Sequence, residues 1–396
     1  MNQALTALKQ AAIDWRLVLM GMVLVAVAVI FSVLSGGIFL SPENLYNIAQ
    51  QTAVVGIVST VVVLVIVARH IDLSVGSVMG FVGVLIATLM YSGGWSWPEA
   101  SLAGLAVAIA ASMYQGALTA VLGVPSFVVT LGGLMSFRGA AFLVADGKTQ
   151  PVTDAFFQRF GGGYDGAIGT TPSWVLAALM CLALVWATMS RRRAKQAYEV
   201  PNNPPWVDAL VVLVPILIVL VFTASMNAYK IPNKDAAQGI PVPVLIWAVV
   251  AFALSFLVHR TRFGRYIFAM GGNPEAAALV GIPVRRVTLM LFGLLGVLIT
   301  IAAIVSIARL NAGTNSLGTS MELYVIAAAV IGGTALSGGS GSILGSVLGA
   351  LIMQSIDSGM LLLDVSIGWR YVIIGQVLIA AVVFDVMYRR LTGDTA

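Results

Sequence analysis

Apolar residues run along this chain in long unbroken stretches, separated by short polar or glycine- and proline-rich joints. The stretches do not alternate with a period of two, which excludes β-barrel strands. They fit spanning helices instead, because a hydrocarbon core roughly 30 Å thick is crossed by about 20 apolar residues rising about 1.5 Å each. That criterion predicts about twelve spans, at 17–38, 47–68, 74–92, 101–122, 127–145, 174–190, 207–225, 243–259, 288–308, 323–337, 341–361 and 367–388. The tenth is short enough for a half-helix or re-entrant segment. Gly36-Gly37-Ile38-Phe39 offers no small-x-small cleavage pattern, so the first span is expected to stay.

Composition agrees with the pattern. Of 396 residues, 59% are hydrophobic and only 9% charged, and the mean hydropathy is +0.99. Soluble domains carry roughly 25% charged residues, so a water-soluble enzyme, a disordered tail and a disulfide scaffold are excluded. The single cysteine, Cys181, allows no intrachain disulfide. The net charge of +5 reads as topology markers rather than as a nucleic-acid surface. With the N-terminus in the cytoplasm, the inner side holds Lys9, Arg16, Arg69, Arg191, Arg192, Arg193, Lys195, Arg260, Arg262, Arg265, Arg285, Arg286, Arg389 and Arg390. The outer side holds only Lys148, Arg159, Lys230, Lys234, Arg309 and Arg370. Both termini are therefore expected in the cytoplasm.

Two stretches stand apart. The loop 146–173 is polar, glycine-rich and placed outside by this topology. The segment 259–287 is too charged to span and too apolar to be a plain linker. Within it Asn273 reads as an N-cap, Pro274 as the first helical residue and Glu275 as a first-turn acid, with Gly281 and Pro283 marking the end. A short amphipathic helix at 275–280 is thus expected, either partnered or resting on the bilayer.

Several apparent motifs carry no chemistry. Gly161 to Gly166 matches a dinucleotide fingerprint, yet it neither follows a strand nor opens a helix. Gly147-Lys148-Thr149 lacks the first glycine of a phosphate loop, since Phe142 stands there. His70 and His259 have no carboxylate or thiol cluster around them, so no metal site is expected. Ser340 has no neighbouring histidine, and no nucleophilic catalysis is predicted.

The polar content of the spans carries more. Arg138 would cost about 2.5–3.5 kcal/mol at a helix centre, so it must face protein or water, and Asp357 is a possible partner. Asp72 reads as the N-cap of the third span. Gln50, Gln51, Gln115, Gln354 and Gln376 lie within spans, with Asn311 at a span end. Such amides suit either helix–helix fastening or a neutral polyhydroxyl solute, whose water must be replaced by donors and acceptors. Gly341, Gly345 and Gly349 repeat by four and share a helix face, allowing close helix approach. The doublets Gly332-Gly333 and Gly338-Gly339 break helix, which in a membrane is tolerated where backbone is buried or lines a cavity. Gln50, Gln115, Arg138, Asn311, Gly332, Gly333 and Gln354 are therefore the candidate pathway or gate residues.

Four motifs in order resemble the permease subunits of bacterial ABC importers for pentoses and related sugars. They are Ile71-Asp72-Leu73-Ser74-Val75-Gly76-Ser77; Val124-Pro125-Ser126-Phe127 with Phe137-Arg138-Gly139; Thr261-Arg262-Phe263-Gly264-Arg265-Tyr266 leading to Gly271-Gly272-Asn273-Pro274-Glu275-Ala276-Ala277; and Ile331-Gly332-Gly333-Thr334-Ala335-Leu336-Ser337-Gly338-Gly339. The resemblance implies an all-α, type II permease fold of the vitamin B12 importer class, one domain over 1–396, working as a homodimer. It also implies a cytoplasmic ATPase subunit that binds ATP and Mg, a periplasmic sugar-binding protein, and no cofactor on this chain. The segment 259–287 would be the coupling element, with Gly272, Asn273, Pro274, Glu275, Ala276, Ala277 and Gly281 facing the ATPase. A stretch at 161–240 adds about two spans beyond the family's usual ten, as in xylose permeases, and points to xylose. An ion-coupled secondary sugar transporter is the alternative; it would need embedded carboxylates, and Asp357 alone lies well inside a predicted span.

Overall fold

The computed structural model describes residues 15–163, 165–198, 204–230 and 237–392. Lys9, Tyr164, Lys234 and residues 199–203 of the predicted insertion lie outside the described residues, as do the side chains of Arg389 and Arg390. The described chain is almost entirely helical. Its elements are α1 (Trp15–Leu34), α2 (Pro42–Val67), α3 (Val75–Tyr91), α4 (Trp97–Ala120), α5 (Ser126–Ala145), β1 (Gln150–Pro151) and a short α6 (Ala155–Gln158). There follow α7 (Thr170–Ala197), α8 (Pro205–Ala228), α9 (Val242–Arg260), α10 (Arg262–Gly272), α11 (Pro274–Leu279), α12 (Val284–Leu310), β2 (Ala312–Gly313), α13 (Met321–Ile331), α14 (Ile343–Leu362) and α15 (Ile367–Thr392).

Among the described residues ten helices are long and apolar enough to cross a membrane. The other two predicted spans, the third and the tenth, are the shorter α3 and α13. The eleven residues of α13 make it a half-helix. The sixth span runs further than its apolar run, to Ala197, because Arg, Ala, Lys and Gln are all good helix formers. The residues Arg191 to Lys195 thus ride on helix, and Arg192 pairs with Asp208 of α8 at 3.5 Å. The charged stretch after α9 also folds into two helices rather than one. Thr261 caps the first through its side chain, and Asn273 caps the second by accepting the Ala276 N–H at 2.9 Å. The second spans Pro274–Leu279, one residue earlier at each end than its spacing predicts.

At the centre stands α2. Its Thr52–Val67 stretch is apolar nearly all round, as a helix enclosed on every side must be, and it is buried along almost its whole length. It is packed by α9, α12, α13 and α14, while α3 and α4 close on the far side of α12. By contrast α1, α7, α8 and α15 present Leu, Val, Ile and Phe side chains outward. An apolar rim is what hydrocarbon requires, and it leaves little hydrophobic force to press helices together. Close approach does that work. Gly345 lies on the backbone of Gly332, and Gly349 on the carbonyl of Ala328, so the predicted glycine face of α14 seats α13. Gly341, the first of the series, precedes α14 and packs on Val67 instead.

At one end of the bundle β1 pairs antiparallel with β2, Gln150 opposite Gly313, tying the exit of α5 to the exit of α12. At the opposite end lie Arg69, α10, α11 and the 332–342 break.

Replacing Gly349 by Ala would drive a methyl group into the Ala328 carbonyl. Overpacking of this kind costs about 1–3 kcal/mol. A lower thermal midpoint of the detergent-solubilised protein, by fluorescence-detected size exclusion, is the expected result.

Candidate functional site

The non-helical loop Thr314–Ser320 dips into the bundle between α12 and the half-helix α13. Irregular backbone at this depth must find partners within the protein. Arg138 of α5 supplies them: its guanidinium donates to the carbonyls of Asn315 (3.1 Å) and Leu317 (2.7 Å). The predicted ion pair of Arg138 with Asp357 does not form. Asp357 pairs with Arg370 of α15 at 2.7 Å, because α15 rather than α5 packs beside this end of α14. Gly318, in the left-handed region at φ 70°, sits directly on the backbone of Gly76.

The dipping loop forms one wall of a polar cavity of about 250 Å³. Gln51 of α2, Ser306 and Arg309 of α12, Tyr324 of α13, and Gln354 and Asp357 of α14 supply its other polar groups, beside apolar Val54, Val55 and Met79. Their polar atoms form a connected set. Gln354 Nε2 donates to Gln51 Oε1 at 2.6 Å and to Asp357 Oδ2 at 3.4 Å. Tyr324 Oη donates to Asp357 Oδ1 at 3.0 Å, the same oxygen that accepts from Arg370. These bonds leave an amide NH2 on Gln51, an amide oxygen on Gln354 and the Arg309 head as further donors and acceptors. The carboxylate is already matched by an arginine, so the cavity is polar without a bare negative charge. Such a lining can exchange hydrogen bonds with a neutral hydroxylated solute.

Of the seven predicted pathway residues, Gln354 alone lines this cavity. Gln50 reaches instead to the Gly162 carbonyl, fastening it over α2. Gln115 lies buried beneath the start of α3, its amide 3.0 Å from the Ser74 hydroxyl. Asn311 ends α12 in the left-handed region, and its carbonyl accepts the Val152 N–H. Gly332 lies against α14, and Gly333, at φ 83°, turns the chain out of α13 beside Arg16. Asp72 stands two residues ahead of the α3 N-cap, Ser74, whose N–H and hydroxyl both bond to it. Missed in the sequence were Ser306, Arg309, Tyr324 and the loop 314–320. The turn-forming run Thr-Asn-Ser-Leu-Gly-Thr-Ser marks a loop, but nothing in it gives its depth.

A second feature occupies the opposite end. Around α11, Ala277 is buried while Leu279 and Val280 are 89% and 78% exposed. A shallow groove beside them is lined by Pro274, Glu275, Ala278, Pro283, Val284, Arg285 and Arg286. Gly272, Asn273, Glu275, Ala276 and Gly281 are all exposed on this face, and Pro274 is half-buried. Two bare aliphatic side chains beside two arginines make a surface suited to an apolar partner with acidic groups. No group of three or more potential metal ligands occurs among the described residues. His70 lies against the Phe292 ring, and burial pushes its pKa down to about 4, so it is a neutral packing residue near pH 7.

The family described as the permease component of the branched-chain amino acid transport system matches residues 44–382. The chain belongs to that family. It is similar to the xylose transport system permease protein XylH of Escherichia coli K12, at 36% identity over 93% of this chain and 91% of the relative. The XylH of Haemophilus influenzae is 38% identical over 91% of this chain and 94% of its own. The ribose import permease protein RbsC of Escherichia coli K12 is 30% identical over 88% and 87%. No solved structure matches the chain. Family membership and the apolar helices together make it a multi-pass permease of the bacterial inner membrane.

Arg138→Ala removes both bonds that hold the dipping loop; hydrogen bonds from charged groups are worth about 1.5–3 kcal/mol each. In a background with Cys181→Ala, a cysteine placed at Asn315 is expected to react faster with a soluble maleimide once Arg138 is gone. Unchanged labelling would show that the loop does not depend on Arg138.

Proposed function

We propose that this permease is the membrane-spanning subunit of an ATP-driven ABC importer that moves a monosaccharide, xylose or another pentose, from periplasm to cytoplasm. The observation that carries the reading is the similarity to xylose permeases over nine-tenths of the chain. The cavity fits the cargo class, being lined with amides, hydroxyls and an arginine-matched carboxylate. The arginine-rich end, with Arg69, Arg262, Arg265, Arg285 and Arg286, faces the cytoplasm by the positive-inside rule, which puts the cavity toward the periplasm. We assign the type II permease fold, twelve membrane-inserted helices including the two short ones, and a homodimeric assembly on the same basis.

The exposed face of α11 receives the ATPase subunit, which binds ATP and Mg; this chain needs no cofactor of its own. A periplasmic sugar-binding protein delivers the cargo to the cavity end. The secondary-transporter alternative needs a carboxylate open to a coupling ion. Asp357 is not such a group, since Arg370 and Tyr324 lie against it.

Purification of the tagged chain from native membranes is expected to bring down a stoichiometric ATPase. Leu279→Glu, which puts a charge on the exposed face, should release the ATPase from a folded permease. In vesicles loaded with ATP, pentose uptake should survive an ionophore that collapses ion gradients. Uptake that persists without ATP and fails with the ionophore would overturn the reading. Gln354→Leu should lower uptake by about tenfold while the protein stays folded, the cost of leaving one polar contact to the cargo unmade.

A further inference from the structure

Three segments that are distant in sequence meet at the arginine-rich end, two of them carrying glycine pairs. The first is the end of α2. There Val67 O accepts the Gly339 N–H at 2.9 Å, and Arg69 takes the left-handed conformation at φ 63°. That conformation is costly for a residue with a Cβ, so contacts elsewhere must hold it. They are the last carbonyls of α10: Arg69 Nε donates to Gly271 O at 2.7 Å and Nη2 to Gly272 O at 2.6 Å. Carbonyls at a helix C-terminus lack intrahelical partners and carry partial negative charge, so a guanidinium suits them.

The third segment is the turn after α13. Gly338, at φ 88°, lies so close to the Arg69 stem that a Cβ there would collide with it. A Cβ on Gly271 would likewise collide with the Val67 carbonyl. Backbone therefore touches backbone where Gly271 meets Val67 and Gly339 meets Gly272, and the doubly bonded Arg69 lies beside these contacts.

Each segment continues into an element of functional weight. Gly272 is followed at once by the Asn273 cap and α11, the proposed ATPase face. From Val67, α2 runs as one helix with no internal proline up to Gln51 at the cavity. The 338–339 turn joins α13, which carries Tyr324, to α14, which carries Gln354 and Asp357. We infer that Arg69 is the positioning residue that couples the α11 face to the polar cavity, by clasping the end of α10 to α2 and to the α13–α14 turn. Movement of α11 under its partner then shifts α2, α13 and α14 together, as tightly packed contacts with discrete arrangements allow.

This inference rests on the importer reading, and one experiment separates the two. The permease, its ATPase and its binding protein are reconstituted in proteoliposomes, and pentose uptake per ATP hydrolysed is compared for wild type, Arg69→Ala, Arg69→Lys and Gly338→Ala, with D-xylose as the first probe. Arg69→Ala is expected to keep the ATPase bound and hydrolysing ATP while moving about tenfold less sugar per ATP, the size of an ordinary coupling between sites. Arg69→Lys, a point charge that cannot fork across two carbonyls, should fall between. Gly338→Ala, which displaces the Arg69 stem, should resemble Arg69→Ala and carries the comparison if that variant does not insert. An unchanged ratio in the variants, or uptake and hydrolysis falling in proportion, would overturn the coupling role. A wild type that binds no ATPase would overturn the importer reading itself.

Discussion

The irregular backbone around α13 answers to one constraint: inside a packed membrane bundle little water reaches a broken hydrogen bond, so a departure from helix must be satisfied by the protein. The chain makes two such departures around α13. The 314–320 loop is held by Arg138 through two carbonyls. The 332–342 break closes partly on itself, through Ala335 N–H to Ser340 O and Gly338 N–H to Ala335 O, and partly on Val67. The half-helix between them is therefore anchored at both ends by residues of other helices. It borders the cavity at one end and joins the arginine-rich clasp at the other.

The same constraint decides where charge can sit. Arg138 spends its guanidinium on backbone, Arg370 on Asp357, and Arg69 on a helix end. Each cation thus satisfies groups that would otherwise stand bare, and each is attached to a place where the chain turns or opens. Packing supplies the rest. Since lipid and helix surface are equally apolar, glycines that let backbones touch hold α13 against α14 where larger side chains would hold them apart.

How far the sequence discloses this follows from the range of each interaction. Span positions are local properties, and α1–α5, α7–α9 and α12–α15 fall where continuous apolar runs lie; α13 is short because Gly332-Gly333 and the Thr314–Ser320 turn formers bound it. The Asn273 cap is equally local and forms as its spacing requires. The helix α10 is not legible as a span, because Arg262 and Arg265 give it an amphipathic pattern that lies against the bundle rather than crossing it. The cavity is the least legible part. Its lining comes from α2, α3, α12, α13, α14 and the 314–320 loop, and an isolated Gln reads the same whether it fastens a turn, as Gln50 does, or lines the cavity, as Gln51 does next to it. One residue turns the side chain by about 100° on a helix of 3.6 residues per turn, and only tertiary packing says which direction holds the cavity.

The central position of α2 gives the two ends of the molecule a common member. It is enclosed by α9, α12, α13 and α14, so it cannot tilt without moving them. Its interior stretch from Val54 to Val67 has no charged group to hold it to solvent, and its polar contacts cluster at its two ends, Gln50 and Gln51 near one and Val67 O near the other. A rod built this way transmits displacement along its length better than it absorbs it, since close-packed interiors yield little. The polar end contacts are thus where a change in one site is converted into a change in the other. The apolar middle beyond the cavity-lining Val54 and Val55 is enclosed by neighbouring helices, so displacement at one end is passed along it.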